Sequence, residues 1–278
     1  MGRVRTIRRG GSRFYVEPST DHKAPGVTSI IGMGPKPFLQ YWAARTVAEA
    51  AVEKAEAVLS IRGKYDQRTQ TYDGDPDAAI DMLKGAPLRY TKQRAAVGSD
   101  AHDLFERMIR GETVRRVGQD LAPYKRHFAE FLDEVQPELL LAEDVFWSDT
   151  YDYAGSGDAV LRVVDESGEK LNVLVDWKTG RDTYPDVALQ LSAYAHADRV
   201  IGEDGESRPM PRIDAGLVLH ITPERWALKP VRIDDEVFTV FLHLRAIFDW
   251  DRTLSREVIG RPIASGGQMV TGTERRAR

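Results

Sequence analysis

The feature that most constrains the fold is a pair of alternating segments, 153–164 and 171–177, separated by the polar stretch Asp165-Glu166-Ser167-Gly168-Glu169-Lys170. Both segments read as strands and the stretch between them as a Gly-containing turn. Residues two apart in a strand share a face. An antiparallel hairpin that sets Asp158 opposite Asp176 therefore places Ala159, Leu161, Val163, Leu171, Val173, Val175 and Trp177 together on the other face. That face is wholly apolar, as a core face should be. The register requires an odd loop with Gly168 in a bulge. A slip of one residue would break the apolar face and scatter the acids.

The same register puts Asp158, Asp176 and Lys178 on one side, with Trp177 pointing away. Adjacent carboxylates repel unless a cation lies between them. Hard oxygen ligands favour magnesium or manganese. A lysine beside them suits the orientation of a water or the neutralisation of charge developing on a phosphoryl group. Asp-x-Lys alone is more often an ordinary ion pair on a solvated strand. The ordered series Gly157-Asp158, Asp176-x-Lys178-Thr179-Gly180 and Gln190-x3-Tyr194 is far more specific.

Upstream, 86–110 reads as a helix carrying Gly98-Ser99-Asp100-Ala101-His102, with Leu104, Phe105, Met108 and Ile109 at helical spacing. His102 and Glu106 share a face. A lone histidine there is ordinarily a core-edge residue; His102 gains its interest from the motifs downstream.

Together, Gly98-x3-His102, Gly157-Asp158, Asp176-x-Lys178-Thr179-Gly180 and Gln190-x3-Tyr194 resemble the motif series of RecB-type nucleases, a branch of the PD-(D/E)XK superfamily. The resemblance runs from Gly98 to Tyr194. It implies an α/β (α+β) restriction-endonuclease-like core with a mixed central sheet flanked by helices. It implies metal ligation by His102, Asp158, Asp176 and the Trp177 carbonyl, and a catalytic role for Lys178. Gln190 and Tyr194 would organise the site and touch DNA, with Thr179 and Glu143 in support. Gly-Asp replaces the Pro-Asp of the superfamily name, and Asp176 stands where many members have Glu; both are usual in the RecB branch.

Some members of that branch hold an iron–sulfur cluster on four cysteines. This chain has no cysteine, so that cluster and thiolate zinc sites are excluded. The resemblance then points to cluster-free, stand-alone exonucleases of actinobacterial phages. The segment from Gly26-Val27-Thr28-Ser29-Ile30 to Tyr41-Trp42-Ala43-Ala44 is similar to their leading part. The expected activity is Mg2+- or Mn2+-dependent hydrolysis of linear DNA in phage recombination, repair or genome processing. A structure-specific or nicking endonuclease on the same site is the alternative within the class. A non-catalytic DNA-binding recombination partner is the alternative outside it. Expected partners are DNA and a recombinase, annealing protein or helicase.

At 278 residues, 42% hydrophobic and 29% charged, the composition is that of an ordinary globule. No apolar run spans a membrane, and the first residues lack a signal-peptide core; a cytoplasmic setting is expected, that of the bacterial host if phage-encoded. The net charge of -4 argues against a purely electrostatic DNA binder, so local charge matters. Arg3, Arg5, Arg8, Arg9 and Arg13 can contact phosphates, whereas the run Arg275-Arg276-Ala277-Arg278 reads as a solubilising tail.

The expected organisation is a helical N-terminal region with an arm (1–85) packed on the core, a nuclease core (86–258) and a flexible tail (259–278). Residues 3–16 read as a hairpin, and Pro35 and Pro37 introduce a helix to about residue 60. A loop at 64–76, helices at 77–84 and 120–136, and a strand at 139–147 follow. Then come a helix at 187–201, a loop at 202–209, strands at 213–221 and 226–233, and a helix opened by Asp234-Asp235-Glu236. Tyr41, Trp42, Tyr90 and Arg94 are candidates for the wall of a DNA cleft, Trp42 with core packing as the stronger role.

Overall fold

The hairpin register expected from alternation is present in the computed structural model, which describes residues 3–264, 266 and 267. The expected tail at 259–278 falls mostly outside the described residues, as does the basic run ending at Arg278. In chain order the strands are β1 (Arg5–Arg9), β2 (Ser12–Val16), β3 (Lys23–Pro25), β4 (Tyr65–Asp66), β5 (Thr71–Tyr72), β6 (Glu138–Ala142) and β7 (Val145–Ser148). They continue as β8 (Tyr153–Ser156), β9 (Ala159–Val164), β10 (Lys170–Lys178), β11 (Arg199–Ile201), β12 (Ser207–Pro209), β13 (Ala215–Ile221) and β14 (Trp226–Val231). The α-helices are α1 (Val27–Ile31), α2 (Phe38–Glu53), α3 (Ala55–Arg62), α4 (Pro76–Lys84), α5 (Ala86–Ile109), α6 (Ala122–Val135), α7 (Asp186–Ala195) and α8 (Asp235–Arg252).

The central sheet has the order β14-β13-β10-β9-β6. It is mixed: β10 and β13 run parallel, and the other neighbours are antiparallel. Along β9 and β10, Lys170 faces Val164 and Val175 faces Ala159. The pairing ends there, and Asp158 and Asp176 are the next residues on the two chains. Asp165 N–H donates to the Glu169 carbonyl, and Gly168 takes φ 86°, the left-handed geometry that glycine adopts without strain. The two faces are packed by different helices. Ala159, Leu161, Val173, Val175, Trp177 and Leu219 pack with Phe105 of α5 and Phe128 and Phe131 of α6. Val160, Leu174 and Val218 pack with Leu191 of α7, Phe241 of α8 and Ile30 of α1. The result is a helix–sheet–helix sandwich, each apolar face covered as burial demands.

Several expected elements are corrected. The segment 153–164 is two strands, interrupted at Gly157-Asp158, and 139–147 is likewise two, interrupted at Glu143-Asp144. The interruptions lie side by side: Glu143 N–H donates to the Asp158 carbonyl and Gly157 N–H to the Asp144 carbonyl, both at 3.1 Å. Beyond them β7 and β8 leave the central sheet for a second, antiparallel one of order β12-β11-β7-β8. The helix expected over 187–201 stops at Ala195, because Arg199–Ile201 pairs with β7. Part of the expected 202–209 loop is β12, which completes that hairpin. The helix after Pro37 breaks at Lys54, and 64–76 contains the short β4–β5 pair. The N-terminal region does more than pack beside the core. Val27, Ile30 and Ile31 belong to it, and the Tyr15 hydroxyl accepts a hydrogen bond from Ser156 N–H. No helix among the described residues is long and apolar enough to cross a membrane.

Candidate active site

Asp158 sits where the sheet splits, and Asp176 and Lys178 lie at the end of β10. The split frees Asp158 from strand pairing, so its Oδ2 accepts the Trp177 N–H at 2.5 Å. Asp176 and Lys178 share a face and form an ion pair, with Asp176 only 3% exposed. The Trp177 side chain is buried on the opposite face against Phe128 and Phe131, so only its backbone faces the site. Gln190, one turn into α7, donates to Asp176 Oδ1 at 2.9 Å. His102 Nδ1 lies 3.4 Å from Asp158 Oδ1. Thus helices from both faces of the sheet reach the two aspartates. Gly98 allows the approach of α5: a Cβ there would lie 3.3 Å from Thr179 Oγ1.

Glu143 joins this group from the other interrupted strand. Its φ of 57° is left-handed, a conformation that disfavours residues with a Cβ and that often marks a functional constraint. Its carboxylate accepts a hydrogen bond from the Ser156 hydroxyl at 3.3 Å. Burial, with Asp158 and Glu106 nearby, pushes the Glu143 carboxyl up to about 7. Burial and the Asp158 carboxylate likewise push Asp176 up to about 6, while Lys178 pulls the other way. Burial works against protonated His102, but Asp158 and Asp176 outweigh it and raise its pKa. The cluster holds more negative charge than its surroundings satisfy, the condition in which carboxylates take up protons or a cation.

The donor set fits a hard divalent ion. Asp176 Oδ2 is buried, and its one polar neighbour among the described residues is the Lys178 ammonium, with which it forms an ion pair. Among the described residues no three acidic or histidine side chains converge as a metal cluster. The reason is local: Lys178 and His102 pair with the acids, and Trp177 N–H takes one Asp158 oxygen.

One expected role is changed. Tyr194 is fully buried, stacked on Phe146 with ring centroids 5.1 Å apart, so it cannot touch DNA. Its hydroxyl instead accepts a hydrogen bond from Gln190 at 3.4 Å. Arg94 lies on the exposed surface over the Tyr90 ring, 5.7 Å from its centroid, two turns before His102. Trp42 contacts Tyr90 edge-on at 5.9 Å and Tyr41 is 79% exposed. In the arm, Arg5 pairs with Asp21 and Arg3 with Glu203.

Sequence reasoning missed His220. It is the neighbour of Lys178 in β13 and is buried. Its Nε2–H donates to the Gly180 carbonyl at 2.8 Å, and its Nδ1 then faces Lys229 Nζ at 3.5 Å. A lone polar residue in the apolar run Leu217-Val218-Leu219-His220-Ile221 was the available signal.

The support around Gln190 yields a prediction. A Cβ on Gly155 would meet Tyr194 Cε1 at 2.5 Å and its hydroxyl at 2.9 Å. The Tyr194 ring is confined by Phe146, so Gly155→Ala is expected to destabilise the fold by about 1–3 kcal/mol. A lower urea midpoint is the expected reading. An unchanged midpoint would show that the ring has room to move.

No family model matches this chain, and no curated protein matches it either.

Proposed function

We propose that the protein is a metal-dependent deoxyribonuclease with a PD-(D/E)XK-type core, acting as an exonuclease on linear DNA. The observation that carries this reading is the convergence of Asp158, Asp176 and Lys178 at the split edge of a mixed sheet, with Gln190 holding Asp176 and His102 against Asp158. Asp158 and Asp176 would hold Mg2+ or Mn2+, with His102, Glu143 and the Trp177 backbone beside them. Such an ion supplies Lewis-acid stabilisation of the phosphate and lowers the pKa of a bound water.

The chain's own residues then have distinct tasks. The Lys178 ammonium is placed to donate to an attacking water or to a phosphoryl oxygen as its charge grows. Gln190 and the Trp177 N–H fix the two carboxylates in orientation, so little reorganisation is needed during hydrolysis. Burial and Asp158 push Glu143 up to about 7 in the metal-free site, so it would give up its proton when a cation binds beside it. The net charge of -4 is compatible with a DNA substrate, because a metal site must itself carry acids and local charge decides the binding.

The test is incubation of end-labelled linear duplex, single strands and closed circles with the protein in magnesium, manganese or EDTA. Loss of linear DNA alone, dependent on metal, is the expected outcome. Cutting of circles would replace the exonuclease reading by an endonuclease on the same residues. DNA binding without cleavage under any metal would remove the enzyme reading and favour a non-catalytic recombination partner.

A further inference from the structure

Residues 179–185 join Lys178 to α7, and this loop is tightly held. His220 fixes the Gly180 carbonyl, Lys229 Nζ donates to Thr183 Oγ1 at 3.1 Å, and Lys36 pairs with Asp186 at 3.2 Å. On this anchored loop Tyr184 is 54% exposed. It lies parallel to Phe38, the first residue of α2, itself 51% exposed; the ring centroids are 6.0 Å apart and the planes differ by 6°. Two cations belong to the same segments: Lys36, two residues before Phe38 and paired with Asp186, and Arg181, on the Tyr184 loop, 96% exposed and 3.9 Å from Asp182. Further exposed aromatic rings are Tyr41, also on α2, and Tyr90, beneath Arg94 on α5.

Parallel, exposed aromatic rings beside cations match what an unpaired nucleobase requires. Every base has a π face, so stacking is sequence-tolerant, and nearby cations follow the phosphates. Contacts at Gly180 and Thr183, and at Asp186 where α7 begins, anchor the segment that carries Tyr184 between Lys178 and the helix. We propose that Phe38 and Tyr184 form a stacking platform for an unpaired base of the DNA strand and thereby register the phosphodiester against Asp158, Asp176 and Lys178. This rests on the deoxyribonuclease reading. Phe38 and Tyr184 are substrate-positioning residues and take no part in the chemistry.

The test uses the full chain in EDTA and a duplex with a short single-stranded end that carries 2-aminopurine. A dye on the duplex body reports binding independently. The wild type is expected to quench 2-aminopurine at one position of the end. Phe38→Ala and Tyr184→Ala should each lose the quenching and bind about tenfold more weakly, the scale of one base–aromatic stack. Tyr184→Phe should keep both. With magnesium, the alanine variants should raise KM more than they lower kcat. Absence of quenching at every position in the wild type, or quenching unaltered in both alanine variants, overturns the platform. If the wild type nevertheless degrades linear DNA, the nuclease reading survives that result. Quenching that depends on both rings, without cleavage in any metal, supports the platform and removes the nuclease reading.

Discussion

Replacing Lys178 by alanine is expected to lower metal-dependent DNA cleavage by roughly a thousandfold, the scale of losing one preorganised charge-stabilising donor. The argument is geometric. Lys178 is the only cation in ion contact with Asp176 among the described residues, and its side chain is about one-third exposed to solvent. The strand should survive the change, because Trp177 anchors β10 from the opposite face among Phe105, Phe128 and Phe131. A control separates lost chemistry from a damaged site. Lys178 competes with a divalent ion for Asp176, so Lys178→Ala should bind Mn2+ at least as tightly as the wild type in a calorimetric titration. Cleavage retained within tenfold would show that Lys178 only balances charge. Cleavage and Mn2+ binding lost together would assign it a structural role.

Much of this site was readable in the sequence because it lies on local structure. The β9–β10 register follows from period-two alternation and a turn with Gly168 at positive φ, both encoded within about twenty residues. The i, i+4 relation between Gln190 and Tyr194 follows from helix geometry alone. The interruptions at Glu143-Asp144 and Gly157-Asp158 were not readable. Apolar residues continue on both sides of each, and the break is defined by hydrogen bonds between segments distant in sequence. The same holds for Arg199–Ile201. Its alternation is too short to distinguish strand from helix, and its fate depends on pairing with β7. The burial of Tyr194 also depended on distant partners, Phe146 and Gly155. Glu143 stood out only as an acid near a motif; its left-handed backbone and its proximity to Asp158 come from the split itself.

The stability of the metal-free protein is expected to fall as pH rises from 5 to 8. Asp176, at about 6, and Glu143, at about 7, both lie above their ordinary values of 3.8 and 4.5. The folded state therefore holds these protons more tightly than the unfolded chain does. Between the ordinary and the raised values the folded state binds more protons, so stability declines with pH. Asp176 and Asp158 are close enough to titrate together, so the decline belongs to the cluster of acids and not to one of them. His102 acts in the same sense, since its raised pKa favours the fold only while the ring is protonated. The opposing carboxylates do not mask the trend. Glu17, Asp149 and Asp198 have lowered values, and their contribution is complete before pH 5. Urea unfolding in EDTA at pH 5, 6.5 and 8 measures the slope. Asp176→Asn should flatten it and stabilise the protein at pH 8 while abolishing cleavage, as expected when acids are gathered for function at a cost in stability. Magnesium or manganese should restore the wild type at pH 8 and leave Asp176→Asn much less affected, because a bound ion stabilises only the state that holds it. A flat or rising slope in EDTA would mean that the acids are already compensated by Lys178 and His102. The cluster would then be a structural charge network with no unmet demand for a cation.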